Sequence, residues 1–560
     1  MSTPSSSLRA SGAARFIDVA WLRHRPHIGS EVLILLASLY FTVFSNGAFW
    51  HQVLPHPLAQ WQLGLALLVI LSGLHALLLA LLVPTRAIKP VLAVLILVTA
   101  VVSHYMSAYG IYFDADMLRN ILHTDRKEAS ELVTWRLLIP VILALLPVAV
   151  LTRVQLIQRP RRRALLVRAG FVLAVGAATA LAAMLAFQPL SSLMRNQHEV
   201  RYLVAPANYL VSLVTVLGHD EPVAKPARTP VGLDARQVPA ATGRKPRLLV
   251  LVVGETARAA NWGLDGYERN TTPELAQANV INFSQVSSCG SATEVSLPCM
   301  FSRIGRHDYD EKAIRQQQSL LHVLDHAGIA TLWRDNQSGC KHVCDGLPTQ
   351  ALDDTNDPRW CDGKRCLDEI LLQGLAGQVA TPMRDRVVVL HQLGNHGPNY
   401  FERYPPGFER YSPVCRSPDL GQCSRQQIVN AYDNALAYTD HVLASTIHAL
   451  AQLPGYDTAM IYVSDHGESL GEKGLYLHGV PYAIAPSEQT HVPMVMWFSS
   501  GFASDTGLDL QCVRERAARP ASHDYLFDSV LGIMDVRSHV YQPRWDLFSA
   551  CRGSQVAAAG

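Results

Sequence analysis

The first 288 residues of this 560-residue chain contain no cysteine, whereas the remainder contains ten. An even count confined to one part of the chain fits a disulfide framework in an oxidising compartment. No C-x2-C pair recurs, which excludes a zinc ribbon. The formal net charge is only +2, and no basic tract is interleaved with aromatics, which excludes nucleic acid as a partner. No internal repeat is visible. The first apolar run lacks a small-residue cleavage site and further runs follow it, which argues against a cleavable signal peptide.

What the first third has instead is apolar runs long enough to cross a bilayer: Val32 to Trp50, Trp61 to Val83, Val91 to Tyr109, Leu137 to Ile157 and Ala164 to Phe187. A span takes roughly 20 residues, so five are expected. Arg9, Arg15, Arg23 and Arg25 precede the first run, Arg86 and Lys89 separate the second from the third, and Arg153, Arg159, Arg161, Arg162 and Arg163 separate the fourth from the fifth. The segment between runs one and two has no Lys or Arg, and that between three and four is rich in Asp and Glu. The positive-inside rule makes the Arg-rich segments cytoplasmic, and five spans then deliver everything after about Gln188 to the far side. Ser191 to Leu217 reads as a membrane-surface amphipathic helix. Glu221 to Lys245 has no helical or strand period and reads as linker. The expected division is a membrane domain at 1–217, a linker at 218–245 and a catalytic α/β domain at 246–560.

Within the last part, Arg247 to Val253, Arg386 to Leu390 and Ala459 to Val463 are short, continuous apolar runs, the signature of buried parallel strands. Each ends in polar residues: Glu255, His391 through His396, and Asp465 with His466. Sites in open α/β sheets lie beyond the carboxyl ends of the strands, so one sheet edge gathers these groups. An adjacent carboxylate and imidazole, joined by Glu255, suit Zn2+. Thr293, in Ser288-Cys289-Gly290-Ser291-Ala292-Thr293, supplies an alcohol that a metal can activate as nucleophile for phosphoryl transfer. As an N-cap of the helix that follows it would also stand where an anion binds. His396 and His478 sit in Gly-rich loops and read as phosphate-binding or acid/base groups. Lys341 is a candidate to neutralise phosphate, and His391, nearer its strand, reads as structural. Asn120, Thr124 and Glu128 recur every four residues and are expected to share one helix face beside lipid headgroups. Cys299-Met300-Phe301-Ser302-Arg303 approximates a sulfatase C-x-P-S-R motif, but Phe301 replaces its proline. Spacing pairs Cys289 with Cys299, Cys340 with Cys344, Cys361 with Cys366, Cys415 with Cys423, and Cys512 with Cys551.

Gly254-Glu255-Thr256-Ala257-Arg258, Trp262-Gly263-Leu264-Asp265-Gly266-Tyr267, Cys289 to Thr293, Pro298-Cys299-Met300, Gly394 to Pro398 and Ser464-Asp465-His466-Gly467-Glu468 together resemble the phosphoethanolamine transferases of Gram-negative bacteria. That family modifies lipid A and includes the mobile colistin-resistance enzymes. The resemblance implies an inner-membrane anchor bearing a periplasmic domain of the alkaline phosphatase and sulfatase type. It implies zinc on Glu255, Thr293, Asp465 and His466, with Thr293 transiently carrying phosphoethanolamine. His396 and His478 match substrate-site histidines that can also hold a second zinc. Lys341 matches a basic position near the phosphate, and Asn120, Thr124 and Glu128 match polar positions near the lipid substrate. The implied donor is phosphatidylethanolamine and the implied acceptor a lipid A phosphate, and a monomer among membrane lipids is expected. Other acceptors, a lipopolysaccharide core sugar or another periplasmic glycan, stay open. So does a scaffold or sensor without catalysis, although no nucleophile or ligand is missing. One departure is local: Ser291-Ala292 stands where some members have Thr-Ser.

Overall fold

Apolar segments in lipid must satisfy their own backbone, and helices do so within one segment. A computed structural model of the chain describes residues 25–58, 60–124, 126–219, 228–239, 243–355, 357–379 and 384–553. Four expected spans are unbroken helices, Trp61–Leu82 (α3), Ile88–Tyr109 (α4), Trp135–Arg153 (α7) and Arg161–Leu185 (α8). The first is not. Ser30–Phe44 (α1) and Gly47–Val53 (α2) meet at a 60° bend. Asn46 Nδ2 donates to the Phe41 carbonyl at 2.8 Å, so a side chain competes for the helix backbone there. Arg9, Arg15 and Arg23 lie outside the described residues.

Compactness divides the chain into two units, one of Met1–Gly47, Val53–Val101 and Ile139–Asn196, the other of Ala48–Gln52, Val102–Leu138 and Gln197–Gly560. In the first, a Cβ on Gly73 of α3 would lie 2.0 Å from Thr179 Oγ1 of α8, so glycine permits the close helix approach. Arg159 Nη1 pairs with Glu31 Oε2 at 2.6 Å.

The second unit departs from the sequence reading at several points. Residues 102–138 group with the catalytic domain, because Arg119 and His123 find their partners there. Ala207–His219 (α10) groups with this unit as well. The expected surface helix is broken into Phe187–Asn196 (α9), a 3-10 turn at His198–Leu203, and α10, with Pro206 interrupting the backbone ladder. The expected linker is largely docked: Val231 and Ala235 join the core, and Arg236–Gln237 pairs with Val536–Arg537. Asn120, Thr124 and Glu128 do not share one helix. Ala115–His123 (α5) ends before Thr124, whose backbone is extended, and Arg126–Leu132 (α6) begins afresh. Thr124 Oγ1 donates back to the Asn120 carbonyl at 2.6 Å, the local bond that competes with helix continuation. The Glu128 side chain lies outside the described placements.

The catalytic domain is built on one sheet of Arg247–Gly254 (β1), Ile281–Ser287 (β2), Ala330–Asp335 (β3), Thr349–Ala351 (β4), Arg386–His391 (β5), Asp457–Ser464 (β6), His491–Phe498 (β7) and Ala521–Ser522 (β8). Their order is β8-β2-β7-β6-β1-β5-β3-β4, and β7 alone runs against the rest. The three runs legible in the sequence are the central trio β6-β1-β5. Every residue of β1 is buried, with side chains alternating between two apolar layers. The long helix Arg425–Ala451 starts with a capping box of Ser424 and Gln427 and packs into one layer.

All ten cysteines are paired, in the five pairs given by spacing. Cys512–Cys551 spans 39 residues and Cys340–Cys344 only 4. Loop-closure entropy assigns about 4 kcal/mol to the longer link and about 2 kcal/mol to the shorter. Chemical denaturation of the two double Cys→Ser variants is expected to show the larger loss for Cys512 and Cys551.

Candidate active site

Parallel pairing places Gly254 opposite Ser464, so Glu255 and Asp465 leave neighbouring strand ends side by side. Glu255, Asp465 and His466 are all fully buried. Their ligand atoms lie within 4.8 Å of one another. Thr293 opens the helix Thr293–Met300 (α11), and its Oγ1 is 3.0 Å from Glu255 Oε2 and 3.1 Å from His466 Nε2. His466 Nδ1 is 2.9 Å from the Gly467 carbonyl, an acceptor, so Nδ1 carries a proton and Nε2 is the atom that faces the cluster. The Gly394 backbone (φ +55°) passes so close to Glu255 that a Cβ would lie 2.6 Å from the Glu255 carbonyl. Only glycine suits that turn.

Two carboxylates buried together require positive charge. Burial pushes the Asp465 carboxyl up, and Glu255 beside it adds to the rise. Burial acts against ionisation of Glu255 too, but the bond to His466 and the charges of His466, His396 and His478 together outweigh it and hold Glu255 below its ordinary range. His466 is pushed up to about 10: burial opposes a proton there, and the Asp465 charge and the Glu255 bond overcome it. Asp465 Oδ2 has no hydrogen-bond partner among the described residues. Two carboxylates, an imidazole and a hydroxyl form the hard, oxygen-rich donor set that Zn2+ accepts, so these residues fit the ion.

The other expected site residues divide. His396 and His478 come together, their ring centroids 5.3 Å apart, and the His478 ring is 4.4 Å from that of His466. His478 Nδ1 lies 3.2 Å from Glu468 Oε2. Lys341 Nζ donates to Ser338 Oγ at 2.8 Å and is 3.9 Å from Glu294 Oε2. Asn120 lines a cavity of about 220 Å³ shared with Ser291 and Ala292, whereas Thr124 is occupied by the backbone of α5. His391 Nδ1 is 2.7 Å from Asp335 Oδ1. Cys299 is disulfide-bonded, which removes it as a sulfatase-type nucleophile.

Three residues escaped the sequence reading. Gln337 Nε2 donates to Glu255 Oε2 at 3.1 Å. Glu294 accepts from Arg315 at 3.0 Å and lies 2.8 Å from His123 Nδ1, joining the helix of Thr293 to α5. His523 accepts from the Cys289 amide at 3.0 Å through Nδ1, and its Nε2 faces the Ser464 carbonyl at 2.9 Å. It thereby ties the Thr293 loop to the end of β6, and burial pushes its pKa down to about 4, keeping it neutral. Glu294 carried a signal, an acid in the first turn of a helix; Gln337 and His523 carried none.

The sheet, with acid and imidazole groups at its carboxyl edge facing a buried hydroxyl, defines a sulfatase-type enzyme of the alkaline phosphatase class. A model described as Sulfatase matches residues 247–536, and one described as Phosphoethanolamine transferase EptA/EptB matches residues 71–220. Phosphoethanolamine transferase EptA of Escherichia coli K12 is 36% identical over 554 residues, covering 95% of this chain and 98% of that protein. Phosphatidylethanolamine transferase Mcr-1 of Escherichia coli is 36% identical over 543 residues, covering 93% and 98%. The integral membrane lipooligosaccharide phosphoethanolamine transferase A of Neisseria meningitidis superposes with a TM-score of 0.90 at 37% identity, covering 94% of this chain and 100% of that one. The chain belongs to the EptA/EptB family of phosphoethanolamine transferases and is an enzyme of that type.

His466→Ala removes one donor and unbalances two buried carboxylates. The zinc content of the purified full-length variant, read by mass spectrometry of the metal, is expected to fall well below that of the native chain. Unchanged content contradicts the donor set.

Proposed function

We propose that this enzyme moves phosphoethanolamine from phosphatidylethanolamine to a phosphate group of lipid A, by way of Thr293. The observation that carries the reading is a buried threonine hydroxyl at a helix N-terminus, within 3.2 Å of Glu255 and His466. Zn2+ held by Glu255, Asp465, His466 and Thr293 would supply the Lewis acidity that lowers the pKa of the hydroxyl.

Thr293 Oγ1 attacks the donor phosphorus, forming an O–P bond as the bond to the diacylglycerol oxygen breaks. Diacylglycerol leaves with a proton, which His396 and His478 move. Lys341 balances charge on the transferring group, and the N-terminus of α11 favours the same anion. An oxygen of the lipid A phosphate then attacks the same phosphorus and releases the Thr293 hydroxyl. The product carries an added amine, which lowers the net negative charge available to cationic peptides such as polymyxins. Arg-rich segments on one side of the spans and disulfides on the other support an inner-membrane enzyme with a cytoplasmic N-terminus and a periplasmic catalytic domain.

In a polymyxin-sensitive host, the native chain is expected to add phosphoethanolamine to lipid A. Thr293→Ala is expected to cut transfer by more than about a thousandfold, the scale seen on removal of a covalent nucleophile. Mass spectrometry of lipid A and of the Thr293 peptide reads both steps. Full transfer by Thr293→Ala contradicts the mechanism. A labelled Thr293 peptide with unmodified lipid A redirects the second step to another acceptor.

A further inference from the structure

Glu131 lies between the third and fourth apolar runs, and no step above uses it. It is carried on α6, with its side chain 9% exposed. Its carboxylate is shared by two guanidinium groups: Oε1 accepts from Arg365 Nε, and Oε2 accepts from Arg403 Nη2 at 2.7 Å. The Arg403 side chain is 0% exposed. Its Nε donates to the carbonyl of His396 at 2.7 Å. Arg365 lines one small cavity together with His396, Gln337 and Lys127. Glu131 therefore secures the His396 loop on one side and a wall of the adjoining cavity on the other.

We propose that Glu131 is a positioning residue for His396, acting through Arg403. Arg403 is wholly buried, and a guanidinium there without its counter-ion is costly enough to move. The segment it holds, Gly394-Asn395-His396-Gly397-Pro398, has glycine on either side of Asn395-His396, so its backbone has little stiffness of its own. Asp368 and the Glu255 carbonyl hold its leading half, accepting from the Leu393, Gly394 and Asn395 amides; the bond from Arg403 holds it at the His396 carbonyl itself, and Glu131 fixes the direction of the guanidinium fork. Arg365 neutralises the remaining oxygen, so the carboxylate is held from both sides. Lys127, on the same helix, reaches Asp353 Oδ2 at 3.3 Å, giving α6 a second attachment in the catalytic domain. A helix between two membrane spans thus completes the support of a substrate-site histidine. The proposal rests on the reading above that His396 meets the transferring group.

The experiment measures the rate of Thr293 labelling by phosphatidylethanolamine in detergent for the full-length native chain, Glu131→Gln, His396→Ala and the double variant. Glu131→Gln keeps the volume and one acceptor oxygen but loses the charge. It is expected to slow labelling about ten- to a hundredfold, the effect of a small misplacement near the reacting centre. If Glu131 acts through His396, the double variant is no slower than His396→Ala alone. Independent contributions instead multiply, and that result, or native labelling by Glu131→Gln, overturns the proposal. Should Glu131→Gln fail to fold, Arg403→Lys replaces it in the cycle, since one ammonium cannot bridge Glu131 and the His396 carbonyl as the fork does. The same non-additivity is expected, and multiplicative losses overturn the proposal. A native chain that never labels Thr293 overturns the function reading first, and is recognised because all variants then fail alike.

Discussion

Two carboxylates buried side by side at the ends of adjacent parallel strands are the constraint around which this domain is arranged. Register alone puts Glu255 and Asp465 there, because β1 and β6 pair in parallel through to Gly254 and Ser464. Neither acid touches solvent, so their charge has to be balanced locally rather than by water. These acids hold a proton on His466 well above its ordinary range, against the effect of burial. A divalent ion would balance the two acids more fully than a proton, and on the proposed mechanism it would also activate the threonine hydroxyl.

The surrounding parts serve that pair. Gly394 lets the β5 loop pass against the Glu255 backbone, Gln337 donates to the Glu255 carboxylate, and His523 fastens the Thr293 loop to the end of β6. Disulfide Cys289–Cys299 ties the loop before α11 to the last turn of that helix. Rigidity of this kind is what a nucleophile needs to be held in line with a bound phosphorus atom.

Legibility in the sequence followed the range of the interaction. β1, β5 and β6 were readable as continuous apolar runs, because a strand covered on both faces needs no alternation. β7 was hidden by Pro493, which breaks a strand pattern; the register shifts between Val492 and Met494, the irregularity at which a proline is tolerated. Glu255, Asp465, His466 and Thr293 were readable because each stands at the end of an element in a distinctive local motif. The break at Thr124 was not, since a four-residue period cannot reveal that a side chain will take its own helix's carbonyl. Glu131, Gln337 and His523 were out of reach because their meaning comes from partners tens to hundreds of residues away. The grouping of α5 and α6 was out of reach likewise: they look like a loop between spans, and ion pairs from Arg119, His123 and Glu131 tie them to distant residues.

The central claim is that the buried acids, the imidazole and the threonine bind one cation with nitrogen and oxygen alone. X-ray absorption at the zinc edge, on full-length protein carrying one equivalent of metal, tests it most directly. The account predicts nitrogen and oxygen neighbours with the multiple-scattering signature of a single imidazole, and a changed oxygen shell in Thr293→Ala. Sulfur in the shell, or a spectrum unaltered by removing Thr293, would contradict it.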